Sequence, residues 1–262
     1  MNFQNIIFEV VGSTAYITIN LPDKRNPVNN TTKAELLEAF DACDFNDEIR
    51  AVVLRGAGGV FSAGGDLAAM KARIDAGERG TRISCRLGAE MNLRLRNIKK
   101  PTIAYVEGAV AGSGMCLALS CDFQIVSEDA KMSFSFVNIG YVPDSGATYL
   151  VTRAVGTVRA TELLMSGRRF TGREAADMGL VTLAVPHSEM EAKLTEYIEK
   201  YSNGPTTAYG FIKTMINRAS FAAYADGMES EIEYQGICEQ TDDFKNAVTS
   251  FFEKKKPSFT GK

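Results

Sequence analysis

Two glycine-rich turns have the composition to present bare backbone N–H groups to a ligand. The first turn spans residues 56–65 after the apolar run 51–55, and the second spans residues 107–114 after the run 101–106. The second turn leads into apolar residues that predict a buried helix. Amides at a helix start have no intrahelical acceptor and lie at the positive end of the helix dipole. This pattern therefore indicates a site for an anion or a developing oxyanion.

Three aspartates lie near these turns or beyond them. Asp66 ends the first turn and precedes residues at helical spacing, so it is predicted to be a helix N-cap. Asp122 follows the predicted buried helix and is interpreted as a structural hydrogen-bond acceptor. Asp144 lies in the sequence Val-Pro-Asp-Ser-Gly, just before a helix predicted to begin near Ala147. A helix cap is therefore one interpretation of Asp144, and it does not exclude catalysis.

Other residue types exclude several kinds of site. His187 is the only histidine and is predicted to lie at the surface, so a Ser-His-Asp or Cys-His mechanism would need His187 to reach the site. A histidine-rich metal centre is excluded. The five cysteines are odd in number and lack CxxC spacing, so neither a disulfide framework nor a zinc site is predicted. Cys116 is interpreted as a small core residue.

Nucleotide-binding motifs are weak or missing. No Gly-Lys-Ser/Thr follows either turn, which excludes a P-loop. Where the dinucleotide fingerprint requires its third glycine, the second turn has Leu117 and the first has Phe61. The turns therefore predict neither an NTPase nor a dinucleotide-dependent oxidoreductase.

Composition narrows the class of protein further. The chain has 262 residues, is 45% hydrophobic and 23% charged, and carries a formal net charge of -3. This length allows a large buried core, and the slight acidity argues against a nucleic-acid partner. The N-terminus does not resemble a secretion signal, and no apolar run approaches the roughly 18 residues that would indicate a membrane span. We therefore expect a cytoplasmic protein with no membrane partner.

The order of the predicted elements indicates an α/β fold. Residues 6–11 and 15–20 predict a hairpin, and Thr31 or Thr32 is predicted to cap the helix that follows. Strand-like runs and helices then recur as β-β-α units, with period-two alternation predicting a strand over residues 131–136. Two helices are predicted over residues 147–155 and 158–165. Further helices are predicted over four ranges near the C-terminus: 188–201, 205–219, 221–239 and 241–252.

Four segments together resemble the crotonase superfamily, the enoyl-CoA hydratases and isomerases. They are FSAGGDL at residues 61–67, the second turn continued to Cys121-Asp122, GYVPD at residues 140–144, and KPSFTG at residues 256–261. The resemblance covers nearly the whole chain. It implies a crotonase-like spiral of β-β-α units over residues 1–200 and a helical oligomerisation region over residues 201–262. It also implies a homotrimer or a dimer of trimers.

The resemblance implies roles for particular residues. The amides of Gly65 and Ser113 would bind the thioester oxygen of an acyl-CoA and stabilise the enolate, and removing such a donor typically costs about 2.7–4 kcal/mol. Ala63 would lie against the adenine of CoA, and Lys24 or Arg25 would approach its phosphates. Coenzyme A is then part of the substrate, and no separate cofactor is expected. Further substrate contacts are expected at these residues: Gly64, Asp66, Leu67, Gly112, Phe136 and Tyr141.

The sequence departs from the family pattern where hydratases carry two glutamates. Cys116 and Phe136 take those places, and neither is a carboxylate base. Asp144 lies where family members that shift a double bond use an acidic residue to move a proton between C2 and C4. One carboxylate suffices for this reaction, because it removes a proton from one carbon and returns it to the other. Phe136 would add an apolar wall that raises the pKa of Asp144.

The resemblance therefore favours a 3-enoyl-CoA to 2-enoyl-CoA isomerase of fatty-acid metabolism. Three alternatives remain open at this point: an enoyl-CoA hydratase with an atypical base, a non-catalytic acyl-CoA binder, and an isomerase of ring-opened or oxepin-type acyl-CoA esters in aromatic degradation. Aryl-CoA dehalogenation is disfavoured, because no histidine lies near the first turn or the helix after it.

Overall fold

The computed structural model describes residues 2–261, over which strands and helices alternate. The strands β1 to β10 span Ile6–Val11, Thr14–Ile19, Ala51–Gly56, Val60–Ser62, Thr102–Val106, Ala109–Ala111, Phe123–Ser127, Lys131–Ser133, Arg169–Thr171 and Leu183–Val185. The helices α1 to α10 span Asn30–Phe45, Leu67–Ala76, Thr81–Asn97, Ser113–Ser120, Ala147–Ser166, Gly172–Asp177, Met190–Ser202, Thr206–Ser220, Tyr224–Cys238 and Asp242–Phe252.

The strands form two sheets that run through successive β-β-α units. The larger sheet has the order β1-β2-β3-β5-β7-β10, and the smaller one has the order β4-β6-β8-β9. The first unit contributes the antiparallel hairpin of β1 and β2 to the larger sheet. In each of the next three units, the first strand joins the larger sheet and the second strand joins the smaller one. This is the predicted α/β spiral of repeated β-β-α units, and the prediction is confirmed.

The larger sheet forms the centre of the core. From β2 onward its strands pair in parallel, and all five residues of β5 are buried. Parallel strands covered on both faces are nearly continuously apolar, as the runs at residues 51–54 and 103–106 are. The hydrophobic effect on these buried side chains therefore fixes the strands from which both glycine-rich turns emerge.

The smaller sheet brings the two turns together. Strand β4 pairs in parallel with β6, with Ser62 opposite Val110. The carboxyl ends of parallel neighbours lie at the same edge of a sheet, so the segments that leave β4 and β6 emerge side by side. These segments are the ends of the two glycine-rich turns, at residues 63–65 and 112–114.

Two local predictions were wrong. Strand β8 ends at Ser133, because the Phe136 carbonyl accepts hydrogen bonds from the amides of Ile139 and Tyr141 and so closes a turn where a strand over residues 131–136 was predicted. The N-cap of α1 is Asn29, whose Oδ1 accepts from the Thr32 amide at 2.9 Å, instead of Thr31 or Thr32. Asparagine is a more favourable cap than threonine, so its use at this position agrees with the general preference.

The predicted helices of the C-terminal part are confirmed as α7 to α10. The two helices predicted over residues 147–155 and 158–165 are also confirmed, because α5 is divided at Gly156, whose φ of 75° and ψ of 166° are not helical. Across residues 2–261, none of the helices has the length and apolar character needed to cross a membrane. Helix α9 lies along α3, and this contact brings the C-terminal part of the chain to the site described next.

Candidate active site

The two glycine-rich turns contact each other at Gly64. A Cβ added to this residue would lie 2.6 Å from the Ala111 carbonyl oxygen and 3.3 Å from the Ser113 amide nitrogen. Gly64 also has a φ of 87°, which residues with a side chain rarely adopt. The absence of a side chain at this position therefore sets the close approach of the two turns.

Two amides beside this contact have no acceptor within residues 2–261. Ser113 is the first residue of α4, and the helix's own hydrogen bonds begin with the Met115 amide, which donates to the Gly112 carbonyl at 3.0 Å. Among the described residues, the amides of Gly65 and Ser113 make no hydrogen bond. They lie on the two turns that meet at Gly64 and line one cavity. They form a pair of donors suited to one oxyanion.

The cavity has a volume of about 290 Å³. Five of the predicted site residues line it, namely Gly65, Asp66, Ser113, Tyr141 and Asp144. Further lining comes from helices α1, α2, α3 and α9 and from the loop before α1, through residues that were not predicted as site residues: Val28, Asn29, Asn30, Thr31, Lys33, Ala69, Met70, Arg73, Thr81, Ser84, Cys85 and Gln235.

Asp144 carries the carboxylate best placed for proton transfer. Its Oδ2 accepts a hydrogen bond from the Cys85 thiol at 3.5 Å, and its Oδ1 is buried with no hydrogen-bond partner among the described residues. Asp144 as a whole is partly exposed, but its carboxylate is buried. The loss of hydration is the largest influence on this carboxylate and raises the pKa of Asp144. The Lys33 charge, the Ser145 hydroxyl and the Cys85 thiol oppose this rise. The result is a carboxylate with one oxygen fixed and the other free.

The Asp144 side chain is not the cap of helix α5. The amides of Gly146 and Thr148 donate instead to Glu231 of α9, at 2.7 Å and 2.9 Å. Burial raises the pKa of Glu231 to about 7, and these hydrogen bonds oppose the rise. Gln235 of the same helix donates to the Val142 carbonyl at 2.7 Å, so α9 holds the Asp144 loop on both sides. The helix-cap interpretation of Asp144 was therefore wrong.

Cys116 and Phe136, which stand in the places of the two hydratase glutamates, are both buried. Cys116 is fully buried, and its thiol donates to the carbonyls of Gly112 and Asp144 at 3.5 Å and 3.4 Å. Burial raises the pKa of Cys116, so the thiol stays protonated and cannot act as a base. The Phe136 ring is buried behind Gly112, about 3.9 Å from where a Cβ on that glycine would lie. Phe136 therefore packs against the turn and does not line the cavity.

Six more predicted contacts lie outside the cavity lining: Lys24, Arg25, Ala63, Gly64, Leu67 and Gly112. Lys24 and Arg25 are exposed, and the Arg25 carbonyl accepts from the Ala63 amide at 2.8 Å, which joins this loop to the first turn. Ala63 is exposed beside them. Leu67 is the first residue of α2, which Asp66 caps by accepting from the Ala69 amide at 3.0 Å. The Asp66 cap and the first glycine-rich turn are thus confirmed as local structure. The substrate-binding roles of these residues stay predictions.

Two buried charged residues at or beside this site, Lys33 and Glu231, were not predicted from the sequence, although a signal existed. In α1 the buried stripe runs Lys33, Leu36, Phe40 and Cys43, at spacings of three and four. A lysine on such a stripe is buried on the apolar face and needs a reason to be there. Glu231 lies likewise three residues after Met228 on the buried face of α9.

Groups suited to metal binding are missing from the part of the chain that the structure describes: no three His, Cys, Asp or Glu side chains cluster over residues 2–261. Three further cavities lie beneath α8; each is lined in part by Arg96, and none of these three contains a predicted site residue. Another cavity, between α2 and α10, is lined in part by Tyr141.

The chain matches known proteins in sequence and in fold. A family model described as enoyl-CoA hydratase/isomerase matches residues 9–262. A trans-2-decenoyl-[acyl-carrier-protein] isomerase of Streptococcus mutans is 33% identical over 100% of both chains. A short-chain-enoyl-CoA hydratase of Clostridium acetobutylicum is 34% identical over 98% of this chain and 97% of its own.

Solved structures give the same result. An enoyl-CoA hydratase from Mycobacterium avium subsp. paratuberculosis has a TM-score of 0.90 and 27% identity, over 99% of this chain and 100% of that one. The chain therefore belongs to the enoyl-CoA hydratase/isomerase family, within the crotonase superfamily. Its relatives include both isomerases and hydratases.

Proposed function

We propose that this enzyme shifts the double bond of an enoyl thioester between the 3 and 2 positions. The amides of Gly65 and Ser113 donate to the thioester oxygen, and Asp144 takes a proton from C2 of the 3-enoyl ester. The electron pair of the broken C2–H bond forms a double bond between C1 and C2, and the carbonyl electrons move onto the thioester oxygen to give a dienolate, whose oxyanion the two amides stabilise. Asp144 then returns the same proton to C4, which leaves the conjugated 2-enoyl ester.

The observation that carries this proposal is that Asp144 lines the same cavity as the two amides, while its buried Oδ1 has no hydrogen-bond partner among the described residues. A buried carboxylate oxygen without a partner is costly unless a ligand uses it. Hydration by the usual glutamate pair lacks its residues, since Cys116 and Phe136 stand in their places. Asp66 is the other carboxylate of the cavity lining, and one of its oxygens already caps α2.

The carrier end of the substrate is assigned to the exposed loop beside the first turn. Lys24 and Arg25 supply positive charge for the phosphates of coenzyme A, and Ala63 lies next to them through the hydrogen bond to Arg25. Tyr141 forms part of the acyl side of the cavity, where its ring stacks on Phe244 at 4.0 Å and its hydroxyl hydrogen-bonds Thr81 at 2.9 Å. The partner of this site is thus an acyl thioester.

The test is an absorbance assay that follows formation of the conjugated thioester from 3-enoyl-CoA. Asp144→Asn keeps the side-chain shape but cannot accept the proton, so kcat should fall by about 10²–10⁴-fold, the usual contribution of a general base. Binding of the ester, measured by calorimetry, should stay close to wild type. Asp75→Asn is the matched control, because Asp75 is an exposed carboxylate of α2 that pairs with Lys71.

The alternatives give different results in the same experiment. Hydration of 2-enoyl-CoA that survives Asp144→Asn would replace the isomerase with a hydratase that uses another base; hydration is the activity for which the Clostridium relative is named. Ester binding without turnover by the wild type would show a non-catalytic binder. Turnover only of ring-opened acyl esters would change the substrate class. Enoyl esters on acyl carrier protein are assayed beside the CoA esters, because the Streptococcus relative is named for that carrier.

A further inference from the structure

Lys33 is a buried lysine in the wall of the candidate active site. Only 6% of the residue is exposed, and it lines the same cavity as Asp144. Its ammonium group donates to the carbonyl and the hydroxyl of Ser84, at 2.8 Å and 2.7 Å. Burying an ammonium group costs several kcal/mol unless charge or hydrogen bonds compensate it. Two neutral partners on one residue do not supply a counter-charge.

The counter-charge of Lys33 is the carboxylate of Asp144. Ser84 holds the Lys33 ammonium, and the adjacent Cys85 donates its thiol proton to Asp144 Oδ2 at 3.5 Å. One turn of α3 therefore fixes both charged groups. A Cβ added to Gly88, one turn further along, would lie 3.1 Å from Ser145 Oγ and 3.7 Å from Lys33 Cε, so the lysine stem runs close to the Asp144 loop.

The two charged groups interact without direct contact. Among the ion pairs of residues 2–261 with N–O distances up to 4.0 Å, none joins Lys33 to a carboxylate. Burial lowers the pKa of Lys33, and the Asp144 charge opposes that effect. Burial raises the pKa of Asp144, and the Lys33 charge is the largest opposing influence. Each group therefore favours the charged form of the other across the cavity wall.

Other groups that face this pair come from the neighbouring helices. The Arg73 charge on α2 lowers the pKa of Lys33. Glu231 of α9, which binds the loop that carries Asp144, has the same sign of charge as Asp144. The thiols of Cys85 and Cys116 stay protonated, because burial raises the pKa of both. Lys33 is therefore the cation that most directly opposes neutralisation of Asp144.

We propose that Lys33 is a positioning residue whose buried ammonium keeps Asp144 ionised, and so sets the lowest pH at which Asp144 accepts the substrate proton. The separation matters for this role. A direct ion pair would occupy Oδ1 and lower its basicity, whereas a charge held back by Ser84 stabilises the carboxylate and leaves Oδ1 free. The inference rests on the proposed function only for its kinetic consequence, because the ionisation of Asp144 is measurable without turnover.

The main test compares Lys33→Met, Lys33→Arg and Ser84→Ala in a pH series. A nearby opposite charge typically lowers the pKa of a carboxyl group by 1–3 units. Lys33→Met should therefore move the acid limb of kcat/KM upward by at least about one pH unit, with kcat recovering at high pH. Lys33→Arg should stay near wild type, and Ser84→Ala should move the limb less in the same direction. Lys71→Met is the matched control, because Lys71 is a partly exposed lysine of α2 that pairs with Asp75.

A second readout does not depend on activity. The ¹³C signal of the Asp144 carboxyl, assigned by its loss in Asp144→Asn, is titrated in wild type and in Lys33→Met. A higher midpoint in Lys33→Met supports the inference even where no isomerisation is found, and in that case only the proposed function fails. An unmoved midpoint overturns the inference even where isomerisation is established. A rise in KM confined to esters with a polar acyl end, with an unmoved pH profile, would make Lys33 a substrate contact instead and also overturns it.

Discussion

At the scale of single residues, Gly64 controls the geometry on which the oxyanion site depends. The two free amides, at Gly65 and Ser113, lie on different turns, so their spacing follows from how closely the turns approach. Gly64 lies at that approach, with the Ala111 carbonyl 2.6 Å from where its Cβ would be. A single methyl group there must push the turns apart.

We expect Gly64→Ala to lower kcat strongly, by at least about the 10²-fold typical for loss of one oxyanion-hole donor. The reason is separation of the two amides, and the measurement is the isomerase assay together with thermal unfolding. Gly12→Ala is the matched control, since Gly12 has a φ of 59° but nothing within 4 Å of its Cβ position. Equal loss of activity in both variants would mean that backbone strain, and not the contact of the turns, is responsible.

Residues differ in how far the sequence revealed them. Asp66 was predicted as a cap because capping depends on neighbours in sequence. The side-chain partner of Asp144 was not predictable in this way, because Cys85 lies on another helix and Glu231 takes the capping role from 85 residues away. Lys33 was visible in principle as a charge on an apolar stripe, but its role depends on Ser84 and Asp144. Long-range contacts of this kind have no local signature.

At the scale of elements, α9 and the loop before α5 act as one unit. Glu231 binds two amides at the start of α5, and Gln235 binds the Val142 carbonyl. The negative charge of Glu231 lies at the positive end of the α5 dipole, which adds to the interaction. The helical C-terminal part of the chain therefore holds the loop that carries Asp144, and damage to α9 should reach the site.

We expect Glu231→Gln to cost about 1–3 kcal/mol of stability, because its amide group accepts from one backbone N–H and leaves the other buried without an acceptor. Activity should fall with it, since the Asp144 loop loses an anchor. Urea unfolding and the isomerase assay give the two values. Glu229→Gln on the same helix is the control, since its pair with Arg86 is exposed and such pairs contribute about 0–1 kcal/mol. Matching effects in both variants would refute the clamp.

The same carboxyl group predicts how stability depends on pH. The pKa of Glu231 in the folded state is raised to about 7, above that of an unfolded glutamate. The folded state therefore binds a proton that the unfolded state has lost, and this contribution to stability, full below the unfolded pKa, disappears as the pH rises through about 7. The free energy of unfolding should fall between about pH 5 and pH 8, and less steeply in Glu231→Gln. A slope equal in both proteins would exclude Glu231 as its source.

Helices and strands were predicted correctly where the sequence pattern is compatible with only one secondary structure. The β-β-α alternation followed from apolar runs bounded by glycine and proline, and the core strands are where these runs lie. The alternation over residues 131–136 had two solutions. The apolar residues Met132, Phe134 and Phe136 are buried whether the chain continues as a strand or turns after Ser133, so burial alone did not separate them. The turn's own hydrogen bonds decided the outcome.

At the scale of the whole molecule, helix α8 leaves an apolar surface without cover. Its large side chains Phe211, Ile212, Met215 and Ile216 are between 48% and 65% exposed. They recur at spacings of one, three and four residues, so they form one continuous stripe. Monomeric proteins rarely expose contiguous apolar patches of this kind, which commonly mark interfaces. This stripe supports our proposal of a homotrimer or dimer of trimers, first made from the resemblance to the family.

We expect light scattering to give a mass of at least three times the 28.5 kDa of one chain. The double variant Phe211→Lys and Met215→Lys places two charges in the stripe, and burying them in an interface would leave them without partners. The variant should therefore dissociate, or assemble only at higher concentration. Phe45→Lys is the control, because Phe45 is 79% exposed at the end of α1 and is not part of the stripe. A monomeric wild type would contradict the trimer, and an intact oligomer in the double variant would move the interface to another face. Activity measured across the same dilution series would then show whether the Asp144 site functions within one chain.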